Sequence, residues 1–168
     1  MGTSTMPAPG EAPEALATDL CWLLSRANQA MGSQLAAALE GLGLSPRGYH
    51  VLRAAMAGEH SQIELARTVG LDKTTMVVTL DELEEAGLAE RRPSPTDRRA
   101  RVIAVTGAGV RKVAEADAIL AQVRREVLES IPKADREAFL DSLRRLVCER
   151  LDGSDDCVEP PRRRAPRA

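Results

Sequence analysis

The stretch 61–106 constrains the fold of this chain more than any other. Ser61 and Glu64 stand three residues apart at the start of a short apolar run. This spacing is typical of a capping box, in which each side chain satisfies a free amide of the first helical turn. Gly70 is placed to end that helix, and Asp72 is placed to cap the next one. The sequence therefore predicts two short helices joined by a tight link.

A short ribbon is predicted directly after the second of these helices, which Gly87 ends. Residues 88–92 and 101–106 fit two strands, since the second is rich in β-branched side chains and the polar stretch 93–97 between them contains two prolines. Five arginines stand against two acids between residues 88 and 106, although the whole chain carries a net charge of −2. These arginines are Arg91, Arg92, Arg98, Arg99 and Arg101. A helix pair suits the major groove of DNA, and an arginine ribbon suits phosphates or the minor groove.

The rest of the chain shows apolar residues at helical spacing. Further helices are predicted over 14–41, 45–58, 107–132 and 134–151. Aromatic residues make up only 2% of the chain, so the core must be aliphatic, which favours helices packed on helices. The predicted fold is mainly α with a small β-ribbon wing, comprising a winged helix-turn-helix and a helical dimerisation region. The helices predicted over 14–41, 107–132 and 134–151 need a partner for their apolar stripes, and a second copy of the chain supplies one with two-fold symmetry.

Five segments follow from this pattern. They are a disordered N-terminal tail over 1–13, a first dimerisation helix over 14–44, a DNA-binding module over 45–107, two dimerisation helices over 108–151, and a disordered tail rich in proline and arginine over 152–168. Both tails lack hydrophobic periodicity.

Other function classes lack their sequence signals. The chain shows no phosphate-binding loop, no dinucleotide-binding glycine motif and no nucleophile elbow, so we expect no enzyme and no cofactor. The acids between residues 81 and 85 indicate a solvated helix face. Three cysteines without a CxxC pair and two histidines, at 50 and 60, give poor metal-ligand spacing. No apolar run approaches the ~20 residues that a membrane span requires, so we expect a cytoplasmic protein without a membrane partner.

The wing sequence resembles a known family. Asp97-Arg98-Arg99, followed by Val102, Val105, Thr106 and Gly109, is similar to the wing signature of the MarR family of transcriptional regulators. The resemblance implies a homodimer that binds pseudo-palindromic double-stranded DNA, as a ligand-responsive repressor. It also implies that Asp97 orients Arg99, that Arg99 enters the minor groove, and that Arg98 and Arg101 meet phosphates.

The helix over 72–86 is expected to enter the major groove. Its predicted DNA contacts are Lys73, Thr74, Thr75, Val78 and Thr79. Lysine neutralises phosphates, hydroxyls bond base edges or phosphates, and methyl groups pack on thymine methyls. Helices of the MarR family often carry an arginine where Val78 stands, so direct contact with guanine is not expected there. In an alternative orientation, Val77 or Val78 turns toward the core.

The resemblance also implies a small-molecule effector bound in a cleft beside the dimer helices. Candidates by position are Trp22, Met31, Tyr49, His50 and Arg53. Trp22 and Tyr49 are equally well explained as core aromatics. No motif identifies the effector.

Cys21 raises a redox alternative. It lies in Leu20-Cys21-Trp22, where the branch of the family that responds to organic hydroperoxides places its reactive cysteine. That branch flanks its cysteine with tyrosines, whereas Ser25 and Leu35 stand at the matching positions here, which predicts a less acidic thiol. A helix cysteine is also commonly an inert core residue. A winged helix used only for protein contacts remains a further alternative.

Overall fold

The computed structural model describes residues 14–94 and 101–151, with side chains through Cys148. The helices are α1 (Glu14–Ala17), α2 (Leu20–Leu39), α3 (Pro46–Ala55), α4 (Gln62–Val69), α5 (Lys73–Glu85), α6 (Gly107–Glu129) and α7 (Arg136–Arg145), and the strands are β1 (Ala89–Pro93) and β2 (Arg101–Val105). A 3₁₀ turn (Glu40–Leu42) follows α2, and a π-helical turn (Leu146–Leu151) follows α7. The chain divides into two compact units between Val123 and Arg124.

The prediction of one unbroken helix from residue 14 is wrong at its start. The chain leaves the helix after Ala17, and Asp19 begins α2 by accepting a hydrogen bond from the Trp22 amide at 2.6 Å. Aspartate favours this capping position because its short carboxylate reaches a free amide of the first turn. The apolar spacing across the break concealed it. Only Leu39 is buried among the 20 residues of α2.

The predicted caps of the central helices are confirmed. Ser45 accepts a hydrogen bond from the Gly48 amide at 3.1 Å, with Pro46 at the first position of α3. At α4, the Ser61 amide donates to Glu64 Oε2 at 2.7 Å, and the Glu64 amide donates back to Ser61 Oγ at 3.3 Å. These local bonds fix where the two helices begin, because they satisfy amides that have no partner within the helix.

The core of the first unit is aliphatic, as predicted. The largest fully buried side chains are Leu39, Leu52, Leu65, Met76, Leu80 and Leu120. They come from α2, α3, α4, α5 and α6, so one apolar cluster holds the helix pair against the long helices. Tyr49 is the one aromatic residue in that cluster among the described residues.

The ribbon is antiparallel, with Ala89 opposite Val105 and Pro93 opposite Arg101. The chain just before α4 adds a short third edge that the sequence did not reveal. Ser61 bridges to Val102, and the Ile103 amide donates to the His60 carbonyl at 3.0 Å. A single bridging residue has no periodicity, so no pattern could predict it.

Thr106 and Gly109 form the joint between β2 and α6. Thr106 Oγ1 donates to the Gly87 carbonyl at 2.7 Å and accepts from the Gly109 amide at 3.0 Å. A Cβ at position 109 would lie 2.1 Å from the Leu88 carbonyl oxygen. Thr106 and Gly109 are therefore required at these positions, because both contact the chain between the end of α5 and the start of the ribbon.

The second unit contains the end of α6 and all of α7. The last predicted helix begins at Arg136, where the Arg136 side chain donates to the Ile131 carbonyl at 2.9 Å. No residue of α7 is buried, and Phe139, Leu140 and Leu143 are exposed. Among the described residues, no helix has the length and apolar character needed to span a membrane.

Candidate nucleic-acid interface

Asp72 positions the start of α5. Its Oδ1 accepts from the amides of Thr74 and Thr75 at 2.9 and 3.0 Å, and its Oδ2 accepts from Thr75 Oγ1 at 2.5 Å. The bonds from Thr75 favour the ionised carboxylate, so they lower the pKa of Asp72. Met76 and Leu80 are fully buried and fix the rotation of the helix about its axis.

The outer face of α5 is largely apolar. Lys73 and Thr74 are exposed, and the exposed fractions of Val77 and Val78 are 36% and 46%. The alternative in which either valine turns into the core is therefore wrong. The prediction that Thr79 contacts DNA is also wrong. Thr79 is fully buried and its hydroxyl donates to the Thr75 carbonyl at 2.8 Å.

Arg91 joins the ribbon to α5. Its amide donates to Glu84 Oε1 at 2.7 Å, and its guanidinium pairs with Glu84 and with Asp81, the latter at 2.8 Å. Two of the acids that indicated a solvated helix face therefore hold an arginine of β1. Glu82 also has a partner, because it pairs with Arg47 of α3 at 3.1 Å. A count of charges along the sequence could not show either contact.

Fewer cationic side chains remain available to contact DNA than the sequence suggested. Arg92 pairs with Glu90, while Arg101 is exposed and has no ion-pair partner in the described part of the chain. Lys73 is likewise exposed without an ion-pair partner among residues 14–94 and 101–148. Asp97, Arg98 and Arg99 lie outside the described residues, so their roles stay predictions.

Residues 42–100 match the model of the MarR family. The structure of CouR from Rhodococcus jostii RHA1 bound to p-coumaroyl-CoA shares 34% sequence identity with a TM-score of 0.73, over 82% of this chain and 97% of that one. The chain belongs to the MarR family of transcriptional regulators.

Two further MarR-type structures place the fold more widely. The transcriptional repressor CouR bound to a 23-mer DNA duplex is 28% identical with a TM-score of 0.73, over 80% of this chain and 96% of that one. Apo MarR from E. coli is 24% identical with a TM-score of 0.66, over 77% of this chain and 97% of that one, which shows the shared fold. The predicted family and the predicted fold class are confirmed.

This MarR-family chain contains a groove beside α3 of about 390 Å³. It is lined by Asn28, Met31, Gly32, Leu35, Pro46, Arg47, His50, Val69 and Leu71. Of the five predicted effector residues, Met31 and His50 line this groove, and Trp22, Tyr49 and Arg53 do not. Desolvation by burial lowers the pKa of His50, which favours the neutral imidazole at pH 7.

Tyr49 and Arg53 contact Asp117 instead. The Tyr49 hydroxyl donates to Asp117 Oδ1 at 2.6 Å, and Arg53 Nη1 lies 2.8 Å from Asp117 Oδ2. Tyr49 is buried, so it is the core aromatic that the alternative interpretation described. The pair fastens α3 to α6. Nothing in the sequence marks Asp117, because it is one of four acids in α6.

Both cysteines in the described residues, Cys21 and Cys148, are exposed and form no disulfide. The prediction of an inert core position for Cys21 therefore does not describe this chain. No cluster of three metal-binding side chains occurs among the residues that the structure describes.

Proposed function

We propose that this chain is a sequence-specific double-stranded DNA-binding repressor that responds to a small molecule and acts as a homodimer on a pseudo-palindromic site. The observation that carries the proposal is the exposed face of α5 beside the ribbon. Asp72 caps that helix, the core fixes its rotation, and Lys73, Thr74, Val77 and Val78 face outward. CouR, a relative with the same fold, is a repressor bound to a DNA duplex.

In this proposal α5 enters the major groove and the ribbon lies along the adjacent minor groove. Lys73 meets a phosphate at the start of α5, and Arg98 and Arg101 meet phosphates beside the ribbon. Arg99 enters the minor groove, where a planar guanidinium fits and the potential is negative, and Asp97 orients it. Thr74 bonds a base edge or a phosphate, whereas the Thr75 hydroxyl donates to Asp72 and helps to hold the start of α5.

The exposed apolar residues at both ends of the chain support a dimer. Leu16, Leu20 and Leu23 are exposed in the first unit, and Phe139 and Leu143 are exposed in the second. Helices that leave leucine and phenylalanine in water lose the free energy that their burial would provide. A second copy covers these residues and supplies the two-fold symmetry of a palindromic site.

The groove beside α3 is the proposed effector site. Met31 and Leu35 give it an apolar wall, while His50 and Arg47 supply polar groups. CouR binds p-coumaroyl-CoA, so a relative with this fold binds an organic acyl compound. A ligand held between α2 and α3 acts on the part of the fold that supports the helix pair α4 and α5.

Binding to chromosomal DNA implies a cytoplasmic location.

The test is a titration of the purified protein with a duplex enriched from a random pool. Arg99→Ala should weaken binding by about 1–3 kcal/mol, because it removes the side chain proposed for the minor groove. Arg101→Ala should weaken binding to all sequences and reduce the slope of log K against log salt by about 1.

Lys112→Ala is the matched control, since it removes one positive charge from α6, where Lys112 pairs with Glu115. It should leave both affinity and salt slope near those of the unaltered chain. Unchanged affinity in Arg99→Ala and Arg101→Ala would contradict the proposed use of the wing. It would favour a winged helix that contacts only proteins.

A further inference from the structure

The exposed face of α5 offers few hydrogen-bonding groups to a base. The Thr75 hydroxyl donates to Asp72, and the buried Thr79 hydroxyl donates to the Thr75 carbonyl. In the first two turns of α5, only Lys73 and Thr74 carry side-chain donors that have no partner among the described residues. Those two positions lie at the very start of the helix.

Base edges in the major groove are distinguished by hydrogen-bond pattern and by one apolar group. Guanine is recognised mainly by arginine or lysine and adenine by asparagine or glutamine, whereas thymine presents a 5-methyl group. The first two turns of α5, Lys73 to Thr79, contain no arginine, asparagine or glutamine. They present instead two adjacent isopropyl groups, Val77 and Val78, and the methyl of Thr74 one turn before Val78.

We propose that Val77 and Val78 determine sequence specificity by packing on thymine 5-methyl groups in each half-site. The inference rests on the proposed function and adds the base that α5 selects. Valine suits this role because one χ1 rotamer dominates in a helix, so its methyl groups are held in place before binding. The buried Met76 and Leu80 fix the rotation of α5 about its axis, which leaves both valines exposed.

The same surface selects against other bases. A cytosine amino group or guanine O6 covered by an isopropyl group would lose its water without gaining a partner. Specificity therefore arises both from the methyl contact and from the cost of covering a polar edge. The polar contacts that fix the position of the protein along the DNA come from Lys73 at the start of α5 and from Arg101 of β2, which are both exposed.

The test replaces thymines by deoxyuridine, one at a time, in a duplex that the protein binds. Deoxyuridine keeps the pairing and the O4 acceptor and removes only the 5-methyl group. Loss of one buried methyl contact should weaken binding about fourfold, from the transfer free energy of one methylene-sized group. Deoxyuridine outside the half-sites should leave affinity unchanged.

Val77→Ala and Val78→Ala identify which valine contacts which methyl. Each variant should bind the thymine duplex more weakly and should lose its sensitivity to deoxyuridine at one position. Val110→Ala is the matched control, because Val110 is also a helical valine, with an exposed fraction of 43%, and lies on α6. It should retain the full sensitivity to deoxyuridine.

Two results would overturn the inference while leaving the proposed function intact. One is a duplex that binds equally well with deoxyuridine at every half-site thymine. The other is a deoxyuridine effect that persists unchanged in both Val77→Ala and Val78→Ala. Failure to bind any duplex selectively would instead contradict the proposed function itself.

Discussion

Replacing Arg91 by methionine should destabilise the first unit and weaken DNA binding together. Methionine keeps an unbranched apolar stem but removes the guanidinium that pairs with Asp81 and Glu84. The Arg91 amide still donates to Glu84, so the ribbon itself is retained. The change therefore isolates the charged contacts between β1 and α5.

The magnitude follows from the exposure of each partner. The side chains of Arg91 and Glu84 are 27% and 32% exposed, whereas that of Asp81 is 60% exposed. A charge-assisted hydrogen bond contributes about 1.5–3 kcal/mol when buried, and an exposed pair contributes about 0.2–1 kcal/mol. Discounting the Glu84 contact for its solvent exposure, we expect a loss of about 1–2 kcal/mol in the free energy of unfolding. The unfolding midpoint should fall by about 5 °C.

Chemical denaturation followed by circular dichroism measures the stability change. Arg92→Met is the matched control, because among the residues that the structure describes Arg92 pairs only with Glu90, at an exposed surface, and its loss should cost about 0.5 kcal/mol or less. A double-mutant cycle with Glu84→Gln should show a coupling of at least about 0.5 kcal/mol. The reasoning is refuted if Arg91→Met costs no more than Arg92→Met, or if the cycle is additive.

The effect of Arg91→Met on DNA distinguishes a positioning residue from a phosphate contact. Arg91 is neutralised by two acids, so its loss should weaken binding by misplacing the ribbon relative to α5. The slope of log K against log salt should stay unchanged, whereas loss of a phosphate contact reduces that slope by about 1. Protection of the flanking minor groove from hydroxyl radicals should fall more than protection at the centre of each half-site.

Three further results are expected. Gly109→Ala should lower the unfolding midpoint sharply in a thermal melt, because its Cβ would meet the Leu88 carbonyl at 2.1 Å, and a normal midpoint would refute this close approach. Hydrogen bonds lower the pKa values of Asp72 and Glu64, so the stabilisation from these carboxylates should be complete above the usual carboxyl pKa of about 4 and be lost as the pH falls further. In urea melts, the free energy of unfolding of Asp72→Asn and of Glu64→Gln should therefore fall less steeply with pH in the acid range than that of the unaltered chain. Cys21→Ser should bind DNA normally in reducing buffer, and release of this variant by an organic hydroperoxide would contradict redox sensing through Cys21.

Local signals in the sequence predicted the central helices well. The capping residues Ser45, Ser61 and Asp72 act within one turn of their own position, so their spacing alone indicates where α3, α4 and α5 begin. The same chemistry at Asp19 was missed, because the apolar residues on either side continue the helical spacing across the break.

The face of α5 was predicted less accurately, for a physical reason. Threonine looks polar in a sequence, but its hydroxyl can donate to the carbonyl one turn earlier and then be buried. Thr79 does this, whereas the more apolar Val77 and Val78 face outward. The outward orientation predicted for Val77 and Val78 is therefore right and that predicted for Thr79 is wrong, and only the packing of Met76 and Leu80 settles the rotation.

Contacts between distant residues could not be predicted at all. Arg91 is one of several arginines in a basic ribbon, and only the tertiary fold brings it against Asp81 and Glu84. Asp117 likewise gains its partners Tyr49 and Arg53 only when α6 packs on α3. Charge counts along a sequence describe how many such groups exist, and the fold decides which remain available to a ligand.

The central claim is that this chain recognises a defined double-stranded DNA sequence. Selection from random and genomic duplex fragments with the purified full-length protein, at low and at physiological salt, tests it most directly. The account predicts enrichment of a pseudo-palindromic site whose half-sites are centred about 10 base pairs, one helical turn, or a multiple of it apart, and which contains thymine in each half. Recovery of no enriched sequence at either salt would contradict it.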